Sequence, residues 1–152
     1  MSKLDEINAD MNQCQRDIDA YNGKIKELEK RCNKLIEFGE RVKSSQGNFS
    51  TVLSSDKKYL GRVSTVAKSN KVAKNYKEGM NSYISNTGNK VVTNVYGKLI
   101  DRINSETVKL INRIDDCKAN VSKCNNKMNR MKDDYKKEKK KEEEEKKKKN
   151  KL

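Results

Sequence analysis

The chain has no tryptophan, proline or histidine, and only two phenylalanines, among its 152 residues. Each absence narrows what it can be. Without proline, no position is forced out of a helix. Without histidine, the commonest general base and metal ligand are both missing. No apolar run exceeds two residues, so nothing reads as a membrane span. The opening MSKLDEINADMN carries no basic stretch followed by an apolar one, so no cleaved secretory signal is expected. Hydrophobic residues make up 32% and charged residues 38%. Scattered, so few apolar side chains would leave the chain disordered.

They are not scattered. Leu4, Ile7, Met11, Cys14, Ile18, Tyr21, Ile25, Leu28, Cys32, Leu35, Gly39 and Val42 follow one another at alternating steps of three and four. Tyr96, Ile100, Ile103, Thr107, Leu110, Ile114, Cys117, Val121, Cys124, Met128, Met131 and Tyr135 do the same. A 3.5-residue repeat keeps one narrow apolar stripe turned toward a partner helix. Two stripes of near-equal length predict an all-α fold, a long antiparallel two-helix coiled-coil hairpin with each arm packed on the other. The core is expected at Ile7, Ile18, Ile25, Leu28, Leu35, Ile103, Leu110, Ile114 and Val121.

The domain reading is a hairpin over 1–138: arm one at 2–44, an apex region at 45–90 and arm two at 91–138. A charged tail follows at 139–152. Ser2 and Asp5 form a helix-start signal. Gly39 thins the stripe or marks its end. The SSQG sequence at 44–47 predicts the first break. Residues 48–90 are rich in Ser, Asn, Lys and Gly, and they read as short helices at about 48–67 and 70–85 before a turn at SNTGN. The symmetry of the stripes puts the apex near Ser69-Asn70-Lys71. The competing picture is a continuous hairpin turning there, with Gly47 and Gly88 merely bending it. In the tail, Glu142 to Glu145 each precede a lysine by four residues. That order supports a solvated helix, and a disordered tail is the alternative.

Thirty-six basic residues outweigh twenty-two acidic ones, a net charge of +14, and residues 1–50 are balanced while the remainder carries the excess. Such a surface attracts acidic proteins, and also phosphate backbones without sequence selectivity. The tyrosines do not interleave with a basic cluster, so no specific nucleic-acid site is read. Catalysis has no apparent machinery. Asp115-Asp116 and Asp133-Asp134 lie on polar faces, and no phosphate-binding GxxxxGK loop occurs. No cofactor or metal is expected. Cys14, Cys32, Cys117 and Cys124 occupy stripe positions and read as small buried hydrophobes, with a bridge near Cys14 and Cys124 as the alternative.

What is left is an interaction surface. Leu99, Val108 and Ile111 lie beside the second stripe, and Ile36 and Phe38 beside the first. Either they thicken the hairpin core or they form a second contact face. With two heptad arms and the aromatic-x-Gly motif Tyr59-Leu60-Gly61, the chain resembles the WXG-type hairpin proteins of type VII secretion. It resembles more closely still the small YwqH-like helical proteins associated with LXG toxins. The family's Tyr-x-x-x-acidic export signal is absent, since Tyr135 is followed four residues on by Lys139. The resemblance implies a non-enzymatic adaptor that binds the helical N-terminal region of an LXG toxin, alongside a second small helical protein. It implies a cytoplasmic protein, or one exported by the type VII route. Tyr59, Gly61, Leu99, Val108 and Ile111 are the expected partner-binding residues. A self-associating structural coiled coil, with a homodimer, is the alternative.

Overall fold

The computed structural model describes residues 2–66 and 70–151, with the backbone alone over 63–66. Every element is helical: α1 (Lys3–Val66), α2 (Lys71–Tyr83), two π-helical segments, π1 (Ile84–Gly88) and π2 (Val91–Tyr96), and α3 (Gly97–Asn150). The fold is the expected all-α helical hairpin. Ser2 caps α1, its hydroxyl accepting from the Asp5 N–H while the Asp5 carboxylate accepts from the Ser2 hydroxyl. Asn70 caps α2 by accepting from the N–H groups of Val72 and Ala73. Of the expected apex, Asn70 and Lys71 therefore start α2, and Ser69 lies outside the described residues.

The chain divides into two compact units, one of Met1–Arg31 with Leu110–Leu152, the other of Cys32–Lys109. In the first unit, Cys14 and Ile18 pack with Met128 across the helix pair, joined by Val121, Cys124 and Met131. Glu29 pairs with Lys118 at 3.9 Å, both exposed, and exposed Lys3 pairs with half-buried Glu138 at 3.7 Å. Such long pairs carry little energy, but they mark an antiparallel register. The tail is helical to Asn150, with Lys147, Lys148 and Lys149 in its last turn, where cations oppose the negative end of the dipole. Glu138 and Glu142 continue the heptad as half-buried residues.

In the second unit, Leu53, Leu60 and Ile84 form the buried centre, with Phe49, Met80 and Val92 against them. All twelve residues of each predicted stripe are buried or half-buried. Of the residues expected in the core, Ile18, Leu28, Ile103 and Ile114 are buried, and Ile7, Ile25, Leu35, Leu110 and Val121 are half-buried.

Two expectations for the apex region need correction. SSQG does not break the helix, because α1 runs through it to Val66. The reason is phase: Gln46, Phe49 and Leu53 continue the same steps of three and four and Leu60 follows one heptad on, so seam packing outweighs the poor helix propensity of Ser and Gly. Gly39 does not end the stripe either. It is buried, and a Cβ there would meet Ile103 Cγ2 at 3.1 Å, so the glycine sets a close approach.

SNTGN is likewise not a turn but π1. Here the seam residues are Ile84, Gly88, Val92, Tyr96 and Ile100, four apart each time. Four heptad steps use fourteen residues, and this stretch uses sixteen. At about 100° per residue, an unbroken α-helix would leave Ile100 roughly 160° away from Ile84. Each π segment absorbs one extra residue. The Asn89 N–H bonds the Ile84 carbonyl, and the Gly97 N–H bonds the Val92 carbonyl, both across five residues. Gln46, in a seam slot of α1, donates its side-chain amide to the same Val92 carbonyl at 3.0 Å. A polar seam residue with one matching partner fixes register. Gly88 lets Leu53 in, since a Cβ there would lie 2.8 Å from Leu53 Cδ2.

Candidate helix-docking face

In α1 the seam repeats as heptad positions a and d, with Gly39, Gln46, Leu53 and Leu60 at a. Position g, immediately before each of these, is held by Phe38, Ser45, Val52 and Tyr59. On the other limb, the residues immediately before successive seam positions are Tyr83, Thr87, Val91, Val95 and Leu99. In an antiparallel pair, equivalent flanks face each other. The opposite flank of this unit shows it, since one shallow groove is lined by Ser50 and Lys57 of α1 together with Ser85 and Asn89. That side is polar. The g side is therefore where Phe38, Val52 and Tyr59 stand beside Tyr83, Val95 and Leu99.

These side chains are exposed: Val52 55%, Tyr59 64%, Val95 60% and Leu99 37%. Isolated exposed hydrophobes are ordinary, whereas several on one flank mark an interaction surface. Contrast within the molecule sharpens the point. In the first unit the same flank reads Lys3, Asp10, Asp17, Lys24 and Arg31 on α1, and Arg113, Asn120, Lys127, Asp134 and Lys141 on α3. It is wholly polar there, and Lys24, Arg31 and Arg113 line one groove.

The face has a charged border. Phe38, Tyr59, Val95 and Leu99 are each followed three residues later by a cation: Arg41, Arg62, Lys98 and Arg102. Three residues is almost one helical turn, so each cation borders its apolar neighbour. The Arg41 guanidinium sits 6.0 Å from the centre of the Phe38 ring.

Of the expected partner-binding residues, Tyr59 and Leu99 belong to this face. Val108 and Ile111 are exposed, but each follows a seam residue and so lies on a different side of α3. Nine residues separate Leu99 from Val108, about half a turn of difference around the axis. Gly61 lies within α1, and the seam member of the Tyr59-Leu60-Gly61 motif is Leu60, 3% exposed. Ile36, which follows Leu35 in the seam, is also off this flank. The periodic signal for Val52, Tyr83 and Val95 was present in the sequence, but Tyr83, sixteen residues before Leu99, could not be phased with it without the π segments.

Asp115, Asp116, Asp133 and Asp134 are exposed. Among the described residues, no group of three His, Cys, Asp or Glu could hold a metal ion, and no helix is long and apolar enough to cross a membrane. Cys14 and Cys32 are buried and Cys117 and Cys124 half-buried, all four as free thiols. No family model, characterised protein or solved structure matches the chain.

Proposed function

We propose that the protein is a non-enzymatic adaptor that binds the helical N-terminal region of an LXG-type toxin and brings it to type VII secretion. The supporting observation is the gathering of exposed large apolar side chains on one flank of the Cys32–Lys109 unit. Such a flank lets a partner's helices pack alongside without rearranging the seam. The type VII part of the reading rests on the resemblance of the two heptad arms to the WXG-type hairpins. Binding proceeds by burial of apolar surface, and cations at the border orient the encounter.

Co-expression with the N-terminal region of an LXG toxin should yield a complex that survives about 0.5 M salt, where exposed charge pairs are screened. Val52→Asp combined with Leu99→Asp should abolish it while circular dichroism of the isolated chain stays helical. Charge reversal of Lys146 to Lys149 should leave it intact. Loss of the complex through the tail variants alone, with equal binding to any polyanion, would refute the adaptor reading.

A further inference from the structure

We infer that the apolar flank of the Cys32–Lys109 unit receives a single amphipathic helix with acidic residues along its edges, supplied by a different protein rather than by a second copy of this chain. The inference deepens the adaptor reading and rests on it.

Three observations define the occupant. First, the spacing is helical. Phe38, Val52 and Tyr59 are separated by multiples of seven, the repeat that matches the seam of another helix. From Phe38 to Tyr59 is three heptads, about 32 Å at 1.5 Å per residue, so the occupant is a helix of at least that length. Second, the face has two walls. The α1 ladder and the ladder from Tyr83 to Leu99 belong to neighbouring limbs of one antiparallel pair, and a third helix laid between them contacts both. Third, the border selects charge. Arg41, Arg62, Lys98 and Arg102 edge the face, and residues 32–109 hold fourteen basic against six acidic residues. A helix with Glu or Asp flanking its apolar stripe is attracted to that border. A second copy would bring the same cations against it, and like charges brought together are penalised. Exposed Tyr59 and Tyr83 suit such a contact, because their rings bury apolar area while the hydroxyls stay wet.

The test uses the full chain and two labelled synthetic helices of about four heptads, identical in their apolar stripe, one edged with Glu and the other with Lys. At about 0.1 M salt the Glu-edged helix should bind at least about tenfold more tightly, as expected when border charge sets partner choice. Val52→Ser with Leu99→Ser should remove that binding. Ser50→Asn with Lys57→Gln, on the polar flank, should preserve it. Equal binding of the two peptides, binding by neither, or insensitivity to Val52→Ser with Leu99→Ser would overturn the inference. So would concentration-dependent self-association of the chain that the same double variant abolishes, since that would assign the face to a second copy. A toxin complex that forms normally with Val52→Ser, Leu99→Ser would leave the adaptor reading standing and remove this face from it. Binding of the Glu-edged helix without any toxin complex would do the reverse.

Discussion

Removing a residue from a coiled coil ordinarily ruins it, but here the cost should depend on which residue goes. Asn94 is exposed and lies within π2, and Asn112 is exposed within α3. Deleting Asn94 shortens the step from Val92 to the following tyrosine from four residues to three. The five-residue bond from the Gly97 N–H to the Val92 carbonyl then becomes an ordinary α-helical one. The seam stays in phase. The expected loss is mainly the Gln46 amide bond to that carbonyl, about 1 kcal/mol. Deleting Asn112 rotates everything after it by about 100° relative to the preceding seam. Ile114 and Met128, 7% and 8% exposed, leave the core, and Cys117, Val121 and Cys124 lose their partial burial. At about 1.5–3 kcal/mol for each fully buried side chain, the first two alone cost roughly 3–6 kcal/mol. That rivals the roughly 5–15 kcal/mol of a whole small protein. Thermal melts followed by circular dichroism would separate the cases. The Asn94 deletion should lower Tm by only about 2–4 °C, and the Asn112 deletion should remove the cooperative transition of the Met1–Arg31 and Leu110–Leu152 unit. Equal damage from both would refute the account of the π segments as absorbers of surplus residues.

Further outcomes follow from the same packing. Ile18→Asp and Ile114→Asp should each unfold most of the helix that pairs them, because an unpartnered carboxylate in the seam costs several kcal/mol; unchanged melts in both would remove the stripes from the core. Gly23 has nothing within 4 Å of a built Cβ, so Gly23→Ala should stabilise by about 1 kcal/mol. Gly88→Ala should gain less, or lose, because its Cβ meets Leu53 at 2.8 Å; paired denaturation curves would show the order. In thiol labelling of the native protein, Cys117 and Cys124 should react before buried Cys14 and Cys32, and four free thiols should appear in denaturant. Fewer than four would reveal a disulfide.

The two arms were legible because a seam imposes a period, and a period survives in one dimension. Leu4 to Val42 and Tyr96 to Tyr135 announced their buried sides without any partner in view. The apex region was harder to read because two local signals pointed the wrong way. SSQG and SNTGN are rich in residues that favour turns, and only contact with the opposite limb overrides them. Gln46 looked like part of a loop until Val92 offered it a carbonyl. The stretch from Ile84 to Ile100 reads as a turn followed by a helix start because its steps of four match neither a heptad nor an unbroken helix. The docking face depended on both corrections. Phe38, Val52 and Tyr59 line up only if α1 continues through Gly47, and Tyr83 joins Val95 and Leu99 only if the π segments hold their limb in phase. The sequence by itself determined that two helices pair and which stripes they bury. Register, the run of α1 through Gly47 and the apolar flank left exposed were decided by the tertiary structure, because each depends on which atoms of the other limb stand opposite.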